Sequence, residues 1–282
     1  MSGTWKRQAL AWLGAAPWDR RLPAGLGQSN KRTANLIVTA TKLIHAAADC
    51  SQALTGLRFS LPVTHVYNPL IYACDVHAAY LRLAGVGPKR VVFLGMNPGP
   101  FGMTQTGVPF GEIAAVRDWM GLSARVAQPP IVHPKRPITG FACQRSEVSG
   151  RRLWGLFAQR YLTASAFFAE HFVANWCPLV FMEESGKNRT PDQLPAAEAA
   201  PVTKACDQHL RAVVHILKPQ WVVGVGRFAH QAAERALAGQ VIQLATIPHP
   251  SPANPAANKD WAGAATTALI AQGVWSANST KA

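Results

Sequence analysis

Acidic residues are scarce in this chain. Of its 282 residues, 14 are Asp or Glu and 28 are Lys or Arg, which gives a formal net charge of +14 at pH 7. This excess predicts a polyanionic partner, and nucleic acid comes first because neutralised phosphates release counterions. An anionic membrane comes second, and a basic surface that serves only solubility is a third reading.

Long apolar runs are missing as well. One of the longest apolar stretches, residues 167–182, is interrupted by Glu170, His171 and Asn175 and is too short to span a bilayer. We therefore expect no transmembrane segment and no membrane partner. The apolar content of 49% is ample for a core, and the length fits one large domain better than two. We expect a monomer.

Closely spaced cysteines are also lacking. The five cysteines are widely separated and form no CxxC pair: Cys50, Cys74, Cys143, Cys177 and Cys206. We expect reduced thiols, no iron–sulfur cluster and no bound metal. The GVG at residues 224–226 lacks the complete GxGxxG pattern of dinucleotide sites, and we expect no cofactor.

Residues 1–33 lack a sustained hydrophobic period. They are basic, with scattered Gly and Pro, and we expect a loosely ordered extension there. A short apolar run at residues 9–16 ends at Pro17 and is a weak targeting signal. Residues 34–282 are expected to form the single folded domain.

Four short apolar runs have the composition of buried parallel strands, and each precedes a loop rich in Gly, Pro, Asn or His. They are residues 90–94, 172–176, 221–225 and 241–245. Helical patterns cover residues 34–48, 75–84, 151–160, 201–217 and 228–237, and another follows residue 259. This alternation predicts an α/β fold, a three-layer α/β/α sandwich around a four-stranded parallel sheet. Functional loops are then expected beyond the carboxyl ends of the strands.

Two of these loops are dense in glycine and proline, which fix the backbone and let a ligand approach it closely. Asn97 lies in the loop after the first run, and His249 lies among prolines after the last. Alone, such residues are more often turn formers or loop residues bonded to backbone. Asn175 stands inside an apolar run, where its amide needs a hydrogen-bond partner, and a nucleobase is one such partner.

Six short motifs follow one another along the chain: GMNPGPFGM (95–103), HPKRP (133–137), SEVSG (146–150), NWCPL (175–179), VVGVGR (222–227) and HPSPANPAANK (249–259). Over about residues 59–261 they resemble the single-strand-selective monofunctional uracil-DNA glycosylase family. The resemblance implies a uracil-DNA glycosylase-like fold, with residues 34–282 as the catalytic domain. It also implies an enzyme that hydrolyses the N-glycosidic bond of uracil and 5-hydroxymethyluracil in DNA and so starts base excision repair. The implied partner is uracil-containing DNA, single- or double-stranded, in the cytoplasm of a bacterium or the nucleus of a eukaryote.

Chemistry and resemblance assign the same parts to Asn97 and His249, and chemistry assigns parts to Asn175 and Phe110. His249 would donate to O2 of the departing uracil while neutral, and Asn97 would position the attacking water. The Asn175 amide would accept from N3–H and donate to O4, which rejects cytosine, and Phe110 would stack on the base; alternatively, Phe110 belongs to the core. Further substrate contacts are expected from Met96, Gly99 and Phe101.

Gly99 is expected to leave room for a water beside C5 of the base. A 5-hydroxymethyl group could replace that water and keep its hydrogen bonds, whereas a methyl group could not. We therefore expect thymine to be refused.

Residues 250–259, here called the wedge segment, resemble the part of the family that enters duplex DNA. Contacts with DNA are expected from Ser251, Pro252, Ala253, Asn254 and Lys259. Ala253 stands where the family has arginine, and Asp260 stands where glycine is usual. These two departures predict weak opening of duplex DNA.

Two other functions stay open from the sequence. One is a related glycosylase with a different base preference, acting on mismatched thymine, hypoxanthine or xanthine. The other is a DNA-binding module without catalysis, which an intact Asn97 and His249 argue against.

Overall fold

The computed structural model describes residues 28–255 and 257–277. Its helices are α1 (Gln28–Leu54), α2 (Pro69–Tyr72), α3 (Cys74–Ala84), α4 (Met103–Thr106), α5 (Val148–Tyr161), α6 (Ala164–Glu170), α7 (Ala196–Leu217), α8 (Arg227–Ala236) and α9 (Ala257–Ala271). Its strands are β1 (Val63–Tyr67), β2 (Val91–Gly95), β3 (His171–Asn175), β4 (Val180–Glu183), β5 (Asn188–Arg189), β6 (Trp221–Val225) and β7 (Gln243–Ile247).

Four of the strands form a parallel sheet in the order β3-β2-β6-β7. The inner strand β2 and the outermost strand β3 are buried along their whole length, as expected for a parallel sheet covered on both faces. On one face, Phe93 of β2 packs against Phe157 of α5. On the other face, Phe172 of β3 packs against Tyr80 of α3, and α7 and α8 pack together there. The predicted α/β/α architecture is confirmed.

The parallel arrangement brings four loops to one edge of the sheet. β2, β3, β6 and β7 end at Gly95, Asn175, Val225 and Ile247, and Gly95 lies directly opposite Asn175 in the register. Four of the six motifs therefore begin at or run through this edge, and HPKRP and SEVSG do not. It is the part of the fold that can assemble a site.

Two predicted boundaries were wrong. The last strand is not residues 241–245, because Val241 and Ile242 belong to a turn after α8, Val241 is fully exposed, and pairing with β6 begins only at Gln243. Residues 28–33 are helical, because no glycine or proline interrupts the chain from Gln28 to Leu54. The rest of the predicted extension, residues 1–27, lies outside the described residues.

A second, antiparallel sheet of order β1-β4-β5 was not predicted. Its strands are short, and the register of β1 shifts between Val63 and His65, so no alternating pattern identifies them in the sequence. Its strands β4 and β5 follow β3 along the chain, and β5 carries a residue that contacts the loop after β2. Asn188 of β5 donates to the carbonyl of Pro98 at 3.4 Å.

A buried carboxylate holds the end of β3 in place. Asp207 of α7 accepts from the Trp176 indole at 2.7 Å and from two nitrogens of Arg235 at 2.8 and 2.9 Å. Trp176 immediately follows Asn175. The position of Asn175 therefore depends on a contact between β3, α7 and α8.

The change Asp207→Ala should lower the free energy of unfolding by about 2 kcal/mol, because it leaves the buried indole N–H unpaired and the half-exposed Arg235 without its partner. Denaturant unfolding checks this value. The exposed Glu184→Ala serves as the control and should change stability by less than about 0.5 kcal/mol. Equal losses in the two variants would contradict a structural role for Asp207.

Candidate active site

Asn97 lies in the loop after β2, and backbone hydrogen bonds tie this loop to the one after β3. The carbonyls of Gly95 and Met96 accept from the amides of Trp176 and Cys177 at 2.8 and 2.9 Å. The Asn97 Nδ2 donates to the carbonyl of Leu179 at 3.2 Å. This contact fixes the amide and leaves Oδ1 as the atom that can accept from a water molecule.

His249 follows β7 and has a defined tautomer. Its Nδ1 accepts from the amide of Ser251 at 3.1 Å, so the proton of the neutral ring is on Nε2. Burial lowers the pKa of His249 below its ordinary value of 6.5, which keeps the ring neutral at pH 7. The ring thus offers one N–H donor without a charge.

Gly226 makes room for His249. It has a φ of +91°, and a Cβ there would lie 3.0 Å from the Cβ of His249. The VVGVGR motif therefore ends in a glycine because the backbone conformation and the close approach of His249 both require one.

Asn175 and Phe110 face each other across Gly95. A Cβ on Gly95 would lie 2.4 Å from Asn175 Oδ1 and 2.4 Å from Phe110 Cε2. The Asn175 Nδ2 contacts Met103 Sδ at 3.3 Å, whereas its Oδ1 is buried without a hydrogen-bond partner. A buried carbonyl left unpaired costs about 1–3 kcal/mol, which a ligand with an N–H donor would recover.

Phe110 completes this group with an unusual backbone. Its φ is +53°, in the left-handed region that residues other than glycine rarely adopt. Its ring centroid lies 6.4 Å from that of His249. At Gly150 of α5 a Cβ would lie 2.0 Å from the Phe110 carbonyl oxygen, so the first turn of α5 supports this conformation.

The space beside Gly99 is not open. A Cβ on Gly99 would lie 2.4 Å from Glu147 Oε2, so the Glu147 carboxyl occupies the room that the sequence left for water. This carboxyl also accepts from the amide of Phe101 at 3.3 Å. Burial raises the pKa of Glu147, while the backbone amides of Phe101 and Ser149 lower it in part.

Phe101 lies under two guanidinium groups. Arg145 and Arg136 are 4.2 and 5.5 Å from its ring centroid. Its part in substrate binding stays a prediction, as does that of Met96, whose backbone contact with Cys177 is the one described above.

The wedge segment is held by its own side chains and by α5. Asn254 Nδ2 donates to the carbonyl of His249 at 3.2 Å, and Ser251 Oγ accepts from the amide of Ala253 at 3.2 Å. Pro252, Ala253 and Lys259 are exposed. Their contacts with DNA remain predictions.

Arg152 of α5 bridges the two ends of the wedge segment. It donates to the carbonyl of Pro250 at 2.8 Å and to Asn258 Oδ1 at 2.9 Å. Asp260 ends the segment, because its backbone is non-helical and its carboxylate accepts from the amide of Gly263 at 2.9 Å. Asp260 thus caps the remainder of α9.

Sequence reasoning assigned no role to Gly95, Gly226, Glu147 or Arg152. The first two stand in recognised motifs, and their closeness to strand ends could have identified them. Glu147 stands in SEVSG, but nothing in the sequence indicates that this motif reaches Gly99. Arg152 has no local signal.

Neither a metal centre nor a membrane span is found in the part of the chain that the structure describes. No group of His, Cys, Asp and Glu there is arranged to hold a metal ion. No described helix is both long and apolar enough to cross a membrane. The five cysteines are free thiols.

The ring of His249 should remain neutral at pH 6.5, with its proton on Nε2, because burial disfavours the charged form and Nδ1 is occupied as an acceptor. Long-range ¹H–¹⁵N NMR of the ring nitrogens measures both properties, with His249→Gln to assign the signals. As pH falls, protonation of Nδ1 should break the contact with Ser251. A proton on Nδ1 of the neutral ring, or half-protonation at or above pH 6.5, would contradict this assignment.

Comparisons with known proteins identify the family of this chain. Residues 84–269 match the model of the uracil DNA glycosylase superfamily. The chain is 50% identical over 218 residues to the single-strand selective monofunctional uracil-DNA glycosylase of Rattus norvegicus, covering 77% of this chain and 78% of the relative. The corresponding Mus musculus protein is 49% identical over the same shares. The crystal structure of SMUG2 from Pedobacter heparinus has a similar fold, with a TM-score of 0.61 at 18% identity, covering 84% of this chain and 99% of that one. The chain therefore belongs to the uracil-DNA glycosylase superfamily and, within it, to the single-strand-selective monofunctional family of DNA glycosylases.

Proposed function

We propose that this enzyme hydrolyses the N-glycosidic bond of uracil in DNA and leaves an uncleaved abasic site, as the names of its relatives suggest. The observation that carries the proposal is the buried Oδ1 of Asn175, which has no hydrogen-bond partner. It lies beside Phe110 at the end of β2, where Gly95 has no side chain. The enzyme would act wherever the DNA is, in the cytoplasm of a bacterium or the nucleus of a eukaryote.

Asn175 and Phe110 would select the base. Asn175 Oδ1 accepts from uracil N3–H, and the second hydrogen of Nδ2 donates to O4, while the contact with Met103 keeps the amide from turning over. Cytosine presents an acceptor at N3 and a donor at C4, so it would leave both groups unpaired. The Phe110 ring would stack on the base, a contact of about 1–3 kcal/mol.

His249 and Asn97 would carry the chemical step. As the C1′–N1 bond breaks, its electron pair goes to the base, and the Nε2–H of His249 stabilises the negative charge at O2. Asn97 Oδ1 holds a water whose oxygen bonds to C1′, and its proton is released to the base or to solvent. No amine has a part in this step, so no lyase reaction and no covalent adduct are expected.

The proposed base range includes 5-hydroxymethyluracil but not thymine. With C5 placed against Gly99, as expected from the sequence, the polar group beside it is the Glu147 carboxyl. A hydroxymethyl group would donate a further hydrogen bond to this carboxyl, whereas a methyl group would exclude water from it without offering a hydrogen bond in return. This account replaces the open water site expected from the sequence.

We further propose that single-stranded and mispaired substrates are preferred to a U·A pair. The exposed Ala253 places no long cationic side chain at its position in the wedge segment, which leaves Lys259 as the cation of that segment. Base extrusion from a duplex requires the enzyme to offset unstacking and unpairing, and a single strand largely removes that cost.

A matched set of oligonucleotides tests the proposal, carrying uracil, 5-hydroxymethyluracil or thymine, single-stranded or paired, with enzyme in excess. Free uracil and 5-hydroxymethyluracil should be released, most rapidly from single strands, and strands should break only after alkali. Strand cleavage before alkali with borohydride trapping of an adduct would contradict the monofunctional assignment. Thymine released as fast as 5-hydroxymethyluracil would contradict the role of Glu147.

Control variants separate chemistry from binding. His249→Ala and Asn97→Ala should each slow single-turnover release by about 100-fold or more while binding to abasic DNA is retained, because each removes one pre-organised polar group. If either variant kept the wild-type rate, the proposed role of that residue would be wrong.

Arg152→Ala should reduce uracil release from a U·A duplex by about tenfold, with a much smaller effect on single strands. The loss of two hydrogen bonds loosens the wedge segment, and single strands do not need it. Arg151→Ala, an exposed neighbour on the same turn, is the control. Equal losses on both substrates would mean that Arg152 supports the pocket rather than the wedge segment.

A further inference from the structure

The HPKRP motif lies next to the pocket, yet the chemistry above gives it no part. It brings Arg136 over the Phe101 ring, where Arg145 also lies, and the Lys135 carbonyl accepts from the same Arg136 guanidinium. We call Lys135, Arg136 and Arg145 the basic lip.

Buried groups hold the backbone of this motif rigidly. The Tyr67 hydroxyl accepts from the amide of His133 at 2.6 Å and donates to the carbonyl of Arg136 at 2.9 Å. His133 Nδ1 accepts from the amide of Lys135 at 3.0 Å, so its Nε2–H donates to the carbonyl of Glu183. The basic side chains therefore project from a fixed support, which limits the entropy lost when they bind a ligand.

Gln105 ties this support to the pocket loop. Its Oε1 accepts from the amides of Thr139 and Gly140 at 2.9 and 3.1 Å. Its Nε2 donates to the carbonyls of Pro100 and Pro137 at 3.3 and 3.1 Å. All four bonding positions of a buried amide are thus used to join the motif to the loop that carries Asn97.

The positive charge of the lip is not neutralised within the described residues. None of the salt bridges there includes Lys135, Arg136 or Arg145. Lys135 and Arg145 are exposed. Stacking of Arg145 on Phe101 orders the guanidinium plane, while its edge remains free to donate to an anion.

The lip and the wedge segment lie on different sides of the pocket. The wedge segment follows β7, the outermost strand on one side of the parallel sheet. The lip is tied to the loop after β2 and, through Arg136 and the Gly186 carbonyl, to the β4–β5 turn beyond β3. A DNA strand that places its base between Asn175 and Phe110 would pass both.

We propose that the basic lip binds the sugar–phosphate backbone of the strand that carries the extruded nucleotide, across the pocket from the wedge segment. The inference rests on the proposed function, because DNA must be the ligand. Contacts with phosphate position a strand without reading its sequence. Such contacts would let the enzyme bind single-stranded DNA without depending on the wedge segment, which opens duplex DNA only weakly.

The test uses the double variant Lys135→Gln/Arg145→Gln, because neither of these side chains hydrogen-bonds to any of the described residues. The ligand is a single-stranded oligonucleotide with 2′-fluoro-2′-deoxyuridine, which resists cleavage. Affinity should fall about tenfold or more. The slope of log K against log salt should become shallower by about 0.7 for each lost phosphate contact. The single-turnover rate at saturating uracil-DNA should be unchanged, since Asn97 and His249 are untouched.

The control is Arg82→Gln/Lys218→Gln, which removes the same charge away from the pocket. These two residues lie where α3 and α7 end, at the amino ends of the parallel strands. Thermal unfolding of both double variants verifies folding. If the affinity and salt slope of the lip variant equalled those of this control, the proposed role of the basic lip would be wrong. Release of uracil by the wild type would still support the proposed function. If the wild type released no uracil, the function itself would fail.

Neutral methylphosphonates, introduced one at a time on either side of the 2′-fluorouridine, locate the contact. Wild-type binding should weaken at one or two positions on one side, and the lip variant should be insensitive to those substitutions. A lip variant with the wild-type profile at every position would contradict the proposal.

Discussion

The pocket exists because Gly95 has no side chain. A single methyl group at this strand end would collide with Asn175 and Phe110 together. Parallel register fixes Gly95 opposite Asn175, and the contact between Asp207 and Trp176 keeps β3 at that height. Gly150 lets α5 approach Phe110 from the other side. Several distant parts of the fold thus serve one small gap between an amide and a ring.

The sequence identifies the central sheet well because fully buried strands appear as continuous apolar runs. β2, β3 and β6 were predicted to within one residue. β7 was placed two residues too early because Val241 is apolar although it is exposed in a turn. The antiparallel sheet was missed because its strands are short and depend on pairing with distant segments rather than on local composition.

The site divides in the same way. Asn97, Asn175 and His249 stand at strand ends, where composition and topology together bring them to one edge. Gly99 was interpreted from its neighbours alone, and the structure fills the space beside it with Glu147 from the start of another helix. Arg152 acts on the wedge segment in the same non-local manner. Such contacts depend on how distant segments pack, and the sequence of a short motif does not indicate which distant segment it will contact.

Phe110 links the stability of the fold to the proposed contact with the base. A phenylalanine with a φ of +53° stores about 1 kcal/mol or more of backbone strain, which glycine at that position would relieve. Relief would remove the ring that faces Asn175. That ring also packs against the hydrophobic core, and the loss of its packing would destabilise the fold by more than the relieved strain would stabilise it. The stability of the fold and the proposed contact with the base therefore depend on the same strained residue.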